Sequence, residues 1–527
     1  MSYLIIVGLI SIVLAAFFWH LKKRNEYFGE LGIPGPKPVP LFGNLLSLSK
    51  RMMHEGFGDW TIQYGKAFGY YEGGTPILVM SDVDMLHEVF VKKFSHFHSR
   101  KALPVQPDPE TAKSVHMFLA RGQRWKRLRM ISNPTFSAAK LKAMAPTAVE
   151  SVDLLVSLLA EKAESGKPFD IYSMYQALTL DVIGRCAFGI HTDCQRNPND
   201  EFLILCKQVF INTMKLNWVQ FCGILFPEWP SLWMAVSTLK DMIQGGNPFV
   251  TLNQKLESLV HQRKSVSGES KSIDLLQLLL DSEVGDNDEF TIENEQVRSW
   301  ASDSDDQPRT YKKLLPEEVV STCILFLLAG YETTSVALAY TTYFLATHPD
   351  VQKRAQEEID EKFNEQAPYE AMNKCTYLDY IIQETLRLYP IATPIQGRKC
   401  MEACVVGDIM IPKGMTVAAD VWTVHYDPQV WGPDADKFRP ERFSPEESQG
   451  RHPMAWLPFG AGPRNCIGMR FALMEAKLTL LKVLNRFTLY ACSETEIPPK
   501  IQEGATTTPT NGITIIIEKR IHDHKQL

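Results

Sequence analysis

The chain has no CxxC pair and no clustered cysteines and histidines. Its ten cysteines are scattered over 527 residues. That scatter speaks against a zinc site and against a disulfide framework. Cys400 and Cys404 are four apart, but no further His or Cys cluster accompanies them. Surplus positive charge is missing too. A net charge of -6 argues against a nucleic-acid binder. No internal repeat is present. Apolar content of 45% and charged content of 22% are ordinary for a globular chain. The length fits one large domain.

Basic residues are also absent ahead of the one long apolar run. Tyr3 to Leu21 is apolar apart from Ser11, His20 and the small Gly8, and it ends at Lys22-Lys23-Arg24. About 20 residues span a bilayer core. A cleavable signal peptide needs a basic start and a small-residue cleavage site, and a mitochondrial presequence is amphipathic and Arg-rich. Neither description fits. The cations follow the span, which predicts a lumenal N-terminus and a cytosolic body. Residues 1–24 are therefore expected to be a transmembrane signal anchor. Residues 25–44 read as a proline-rich hinge, stiffened by Gly32-Ile-Pro-Gly-Pro-Lys-Pro-Val-Pro40. Residues 45–527 form the body.

Within the body, residues 69–81 alternate like strands and predict a small sheet. Helical patterns dominate from about 83 to 490. Residues 281–313 interrupt them as a polar, acidic surface loop. Asn511-Gly512 and the apolar run after it read as a turn and a strand. The sum is a mainly α fold with a minor β-sheet region. Aromatics crowd 203–240, among them Phe210, Trp218, Phe226, Trp229 and Trp233. Core packing and a second membrane dip or substrate lid both explain that run.

Four segments carry chemistry. Phe459-Gly460-Ala461-Gly462-Pro463-Arg464-Asn465-Cys466-Ile467-Gly468 reads as a loop presenting one thiol at the start of a helix over Met469–Leu484. A helix N-terminus and the nearby Arg464 favour a thiolate. Residues 316–347 read as one long helix, with Pro316 first, Glu317 and Glu318 in its first turn, and His348-Pro349 closing it. Ala329 and Gly330 leave room in its middle, and Glu332 beside Thr333 offers an acid and an alcohol. A mid-helix Thr also tends to bond back to a carbonyl. Tyr377–Leu388 is a shorter helix on which Glu384 and Arg387 share a face. Trp125-Lys-Arg-Leu-Arg129 groups an indole with cations.

These segments, in this order, resemble the cytochrome P450 family from the apolar run to about residue 519. The resemblance implies a P450 fold with an N-terminal transmembrane helix and haem b bound by Cys466 as axial iron ligand. Phe459, Arg464 and Gly468 complete the cysteine signature. Trp125, Arg129 and Arg464 would hold haem propionates. Arg398 would be the further propionate contact, although it stands one place later than in the liver drug oxidases. Ala329 would face the cofactor, Thr333 would hold a water, and Glu332 would feed it protons. Glu384, Arg387 and Arg442 would form the structural network that braces the cysteine loop. The signature and the Glu384–Pro390 segment most resemble the clan of the vertebrate liver drug oxidases and thromboxane synthase, in an invertebrate, nematode-like version.

The implied activity is a membrane-anchored monooxygenase acting on a small apolar substrate. Electrons would come from NADPH-cytochrome P450 reductase, docking near Lys126 and Arg127, with cytochrome b5 as a second donor. Membrane lipid is the other partner. The expected location is the endoplasmic reticulum membrane, single-pass, with the body in the cytosol. Two rivals stand beside it: an isomerase of the same fold that rearranges a peroxide without O2, and a non-enzymatic haem-binding or lipid-carrier membrane protein. Thr333 disfavours the first, and the intact Glu332-Thr333 pair disfavours the second. The pocket is expected to draw on 101–120, 203–240, 322–333, 391–397 and 504–508, none of which names a substrate.

Overall fold

The structure is a computed structural model that describes residues 2–101, 103, 105–214, 216–244, 246–265, 274–283 and 313–521. The acidic loop expected at 281–313 lies almost wholly outside the described residues. In chain order, the elements used below are α1 (Ser2–Asn25), β1 (Ala67–Glu72), β2 (Thr75–Met80), α2 (Gly122–Ser132), α3 (Ala138–Ser165), α4 (Ile171–Phe188), α5 (Glu201–Met214), α6 (Trp218–Leu225), α7 (Pro230–Ile243), α8 (Pro316–Thr347), α9 (Thr376–Leu388), β3 (Gly397–Lys399), β4 (Cys404–Val406), β5 (Ile409–Ile411), β6 (Thr416–Ala419), α10 (Met469–Arg486), β7 (Phe487–Tyr490) and β8 (Thr514–Lys519). Two compact units divide the chain.

The smaller unit holds residues 1–107, 216–245 and 394–424. Its sheet runs β1-β2-β6-β3. β1 and β2 form the hairpin expected at 69–81, with Ala67 opposite Met80. The proline-rich segment lies along β1 rather than hanging free. Gly69 N–H donates to Pro34 O at 2.8 Å, and Asn44 bridges Tyr71 to the carbonyls of Pro36 and Lys37. Phe28 and Ile33 are buried there. The aromatic run behaves in two ways. α6 buries Val219 and Leu225, whereas α7 buries no residue at all. Core packing therefore does not account for α7. Phe226 stacks on Trp229 and reaches Phe17 of α1 at 6.4 Å.

The larger unit is helical. α8 packs along α4, and α10 packs on α3 and α8. β7 and β8 pair antiparallel at one edge, with Ile517 opposite Leu489. Three helices among the described residues are long and apolar enough to cross a membrane, and burial separates them. The span in α1 is 6% buried, that in α3 39% and that in α8 72%. α8 is thus a core helix. Its near-continuous apolar sequence suits a helix buried over most of its surface. α1, apolar and exposed, remains the candidate membrane span.

Candidate haem-thiolate site

The cysteine loop is built by two glycines in the left-handed region, Gly460 (φ 67°) and Gly462 (φ 70°). Such angles penalise any side chain. The loop closes when Cys466 N–H donates to Phe459 O at 2.8 Å. Phe459 is half-buried and packs edge-on against Trp456. Cys466 is left exposed just ahead of α10, which begins at Met469, with Gly468 as its N-cap. A thiol placed there has free approach on one side and a positive helix end behind it.

Helix α2 supplies the cations. Arg129 donates to Asn465 O at 2.7 Å and to Asn465 Oδ1 at 2.9 Å, which places its guanidinium beside the cysteine. Burial lowers the Arg129 pKa, and the neighbouring Cys466 opposes that shift. Arg464 stacks over Trp125 at 5.1 Å and donates to the carbonyls of Met117, Phe118 and Ala120. It therefore locks the segment ahead of α2 onto the loop. Arg127 corrects one expectation. It is fully buried, and with Arg124 it grips Glu318 at 2.8–2.9 Å. Arg127 also donates to Lys313 O at 2.7 Å. It offers no charge to a docking partner. Its role is to fasten α2 to the first turn of α8, where the Leu315 N–H also donates to Glu318.

Between Ser321 and Ala346 of α8, only Leu325, Leu328, Ala329, Gly330 and Thr333 escape full burial. Leu325, Ala329 and Thr333 are four apart, so they line one stripe. Ala329 is exposed, which leaves space beside the helix at its narrowest side chain. Thr333 donates back to Ala329 O at 2.7 Å. Glu332 looks elsewhere. It is 4% exposed and accepts from the Tyr172 hydroxyl and from Gln176 Nε2 at 3.2 Å, both on α4. Burial raises its pKa, against those two hydrogen bonds and the Lys207 charge. The acid and the alcohol are neighbours in sequence but are not hydrogen-bonded to each other.

Glu384, Arg387 and Arg442 do come together, all essentially without exposure. Arg387 makes a two-pronged contact with Glu384 at 2.7 and 2.8 Å, and Arg442 Nε donates to the same carboxylate at 3.2 Å. Further guanidinium protons go to the carbonyls of His425, Ala435, Lys437, Trp431 and Asp434. Trp456, ahead of the cysteine loop, donates to Gln383 O at 3.1 Å. His425 sits in the same network and was not singled out from the sequence. Its only sequence signal is a lone histidine, which by itself is uninformative.

Arg398 lies in the smaller unit, on β3. It is buried against the Phe90 ring at 4.4 Å, and its Nε has no hydrogen-bond partner among the described residues. Burial, with Arg100 adding to it, drives its pKa well below the usual range. A cation so placed suits a carboxylate ligand. In the larger unit, an exposed thiol at a helix start, a cation beside it and an exposed alanine on a core helix suit a flat, cysteine-ligated cofactor. The residues present therefore fit haem.

Comparison with known proteins agrees. The cytochrome P450 profile matches residues 33–517. The Caenorhabditis elegans cytochrome P450 cyp-13B1 is 37% identical over 99% of this chain and 100% of its own. Cytochrome P450 CYP13A4 of the same organism is 37% identical over 91% of this chain and 92% of its own. Cytochrome P450 3A29 of the pig is 37% identical over 97% of this chain and 96% of its own. These relatives agree with the expected kinship to nematode and drug-oxidising members. The chain belongs to the cytochrome P450 family, the monooxygenases whose cofactor is a haem iron ligated by cysteine.

Proposed function

We propose that this P450 inserts one oxygen atom of O2 into a small apolar substrate, a xenobiotic, steroid or fatty acid, and draws its electrons from NADPH through a separate reductase, with cytochrome b5 as a second donor. The observation that carries this reading is the presence, in one unit, of the exposed Cys466 held beside Arg129 and of the open Ala329–Thr333 stripe of α8. Bound haem would supply the activation of O2. The chain supplies the rest. Cys466 would ligate the iron, and an adjacent cation and a helix start favour a thiolate. Trp125, Arg129, Arg464 and Arg398 answer carboxylates. Thr333 holds a water, and Glu332 is a buried reservoir for its proton. The Glu384, Arg387 and Arg442 network keeps the cysteine loop in shape.

The same reading places α1 across the endoplasmic reticulum membrane. Lys22, Lys23 and Arg24 close that helix, and cations at that end support a cytosolic body. Reconstitution with NADPH and reductase tests the reaction class. Product should require both the reductase and O2, and product formed without either would favour the isomerase. Reduced protein under carbon monoxide should show the red-shifted Soret band of a thiolate-ligated haem. Cys466→His should lose that band. A band that survived in Cys466→Ala would assign the ligand elsewhere. Binding spectra across steroids, fatty acids and drugs would then narrow the substrate.

A further inference from the structure

Cys400 and Cys404 sit in the smaller unit and have no role in the site described above. β3 ends at Lys399 and β4 begins at Cys404, so the chain doubles back between the two cysteines. In the β4–β5 hairpin, Cys404 faces Ile411. Cys400 Sγ lies 3.7 Å from that same Ile411 O and 3.0 Å from Glu402 O. Directly opposed residues of an antiparallel pair have Cα atoms only about 4.5–5.5 Å apart. Cys400 Sγ therefore reaches the residue that Cys404 opposes across the hairpin, which brings the two cysteines together in space. Two cysteines brought together in this way can be joined once their Cα atoms are about 4.4–6.8 Å apart. Both are free thiols.

Access is unequal. Cys400 is fully buried, whereas Cys404 is half-buried. Lys93 donates to Glu88 and to Val405 O, and this holds its ammonium next to Cys404. One sulfur is therefore reachable and lies beside a cation, and the other waits behind it. Attacking and resolving thiols need that arrangement.

We propose that Cys400 and Cys404 form a reversible oxidation site, a dithiol that low-molecular-weight disulfides such as oxidised glutathione close into an intramolecular disulfide. Cys404 gives up its proton and attacks one sulfur of the small disulfide. The S–S bond breaks, and one small thiol leaves with that proton. Cys400 then gives up its proton, attacks the Cys404 sulfur and expels the second small thiol. Two electrons pass from the dithiol to the small disulfide, and two protons leave with the two small thiols. Burial pushes the Cys400 thiol up to about 12, and it raises Cys404 as well, but Lys93 opposes the shift at Cys404. Glu88 and Glu402 act the other way there. Cys404 is therefore the first to react, and the exchange is slow. Closure ties the start of β4 to the end of β3, the strand that carries Arg398.

Both cysteines fall in the tryptic peptide 400–413, which contains no other cysteine. Full-length, haem-loaded protein is exposed to oxidised glutathione, alkylated and digested without reductant. The peptide should lose two hydrogens, and dithiothreitol should restore them. Cys400→Ser should instead stop at one glutathione on Cys404. Cys404→Ser should leave the peptide unmodified and the carbon monoxide band intact. Lys93→Met should slow closure a few-fold. A stable glutathione adduct on Cys404 of the unsubstituted chain would overturn the proposal. So would two unmodified thiols after an overnight exposure that labels Cys404 in Cys400→Ser.

Discussion

His425 joins Arg387 to Leu457 through both of its ring nitrogens. Nδ1–H donates to Arg387 O at 3.0 Å, and Nε2 accepts the Leu457 N–H at 2.8 Å. Only one neutral tautomer makes both bonds, because a protonated ring has no acceptor. Arg387 belongs to the Glu384 network, and Leu457 opens the approach to the cysteine loop. One imidazole thus couples the buried charges of α9 to the geometry of Cys466.

That coupling predicts an acid limit. Burial pushes the His425 pKa down to about 3, from an ordinary 6.5. Between those values the unfolded chain binds a proton that the folded chain refuses, so stability falls as pH falls. The slope approaches about 1.4 kcal/mol per pH unit for a single group. His425→Gln should flatten this window and cost stability at neutral pH through its altered geometry. Denaturant midpoints from pH 7 to pH 4 would read the slope. A slope unchanged by the substitution would remove His425 as its cause.

Glu475 predicts the opposite limb. It lies on α10, fully buried, and neither carboxyl oxygen has a hydrogen-bond partner among the described residues. Burial raises its pKa well above the ordinary carboxyl value of 4.5. Above pH 4.5 the unfolded chain releases a proton that the folded chain keeps. Glu475 therefore costs stability progressively as pH rises, until its own raised pKa is passed. Glu475→Gln removes the titration at almost constant shape. Its midpoint should equal that of the parent near pH 4 and exceed it near pH 8. A variant less stable at pH 8 would mean that the carboxyl has an ionic role.

Two buried carboxylates should be the least replaceable. Glu384 balances Arg387 and Arg442, and Glu318 balances Arg124 and Arg127. Removing one partner of a buried ion pair costs about 3–5 kcal/mol. Glu384→Gln should leave little protein with a carbon monoxide band. Glu318→Gln should loosen α2, which carries Trp125 and Arg129, and so accelerate haem loss more than it lowers expression. Haem transfer to apomyoglobin measures that rate, and an unchanged rate would limit Glu318 to capping α8.

What the sequence disclosed, and what it hid, follows the range of the forces involved. α8 runs from Pro316 to Thr347, as read from Pro316 and His348-Pro349. α10 begins at Met469, and α9 ends at Leu388 ahead of Pro390. Caps, prolines and apolar spacing are local, so these boundaries were legible. The thiol loop was legible because its glycines and its cysteine lie within ten residues of one another. Arg127 was misread because a run of Lys and Arg resembles a solvated face, and its partner Glu318 lies far along the chain. Glu332 and Thr333 were read as one unit, yet consecutive helix residues do not face each other. His425 and Glu475 gave no signal, since burial by distant segments makes them unusual.

The N-terminal segment predicts two different truncations. Tyr71 OH donates to Asn25 O at 2.9 Å and accepts the Phe28 N–H at 3.1 Å. A chain beginning at Lys22 keeps these contacts and should still bind haem, melting only slightly lower for the loss of the buried Leu21. A chain beginning at Asn44 loses the buried Phe28 and Ile33, each worth about 1.5–3 kcal/mol. It should melt several degrees lower. Equal melting of the two would mean that the proline-rich segment contributes nothing to the fold.

Thr333 and Glu332 should fail differently when substituted. Thr333 lies on the open stripe of α8, and its hydroxyl is satisfied by Ala329 O. Glu332 is bonded to Tyr172 and Gln176 on α4. On the proposed reading, a proton would pass from one to the other through a water held by Thr333. Thr333→Ala removes that holder but no apolar surface. Substrate-binding spectra should therefore stay nearly unchanged, and NADPH should still be consumed. More of that flux should end as hydrogen peroxide and less as product. Placed acid–base groups are worth about 10²–10⁴-fold, and a substituting water would reduce the loss. Glu332→Gln keeps the shape and the bonding capacity of the side chain but cannot supply a proton. It should slow turnover and shift its pH dependence without the same loss to peroxide. The decisive quantity is product formed per NADPH consumed. A ratio unchanged in Thr333→Ala would leave Thr333 as a residue that merely bonds back to its own helix.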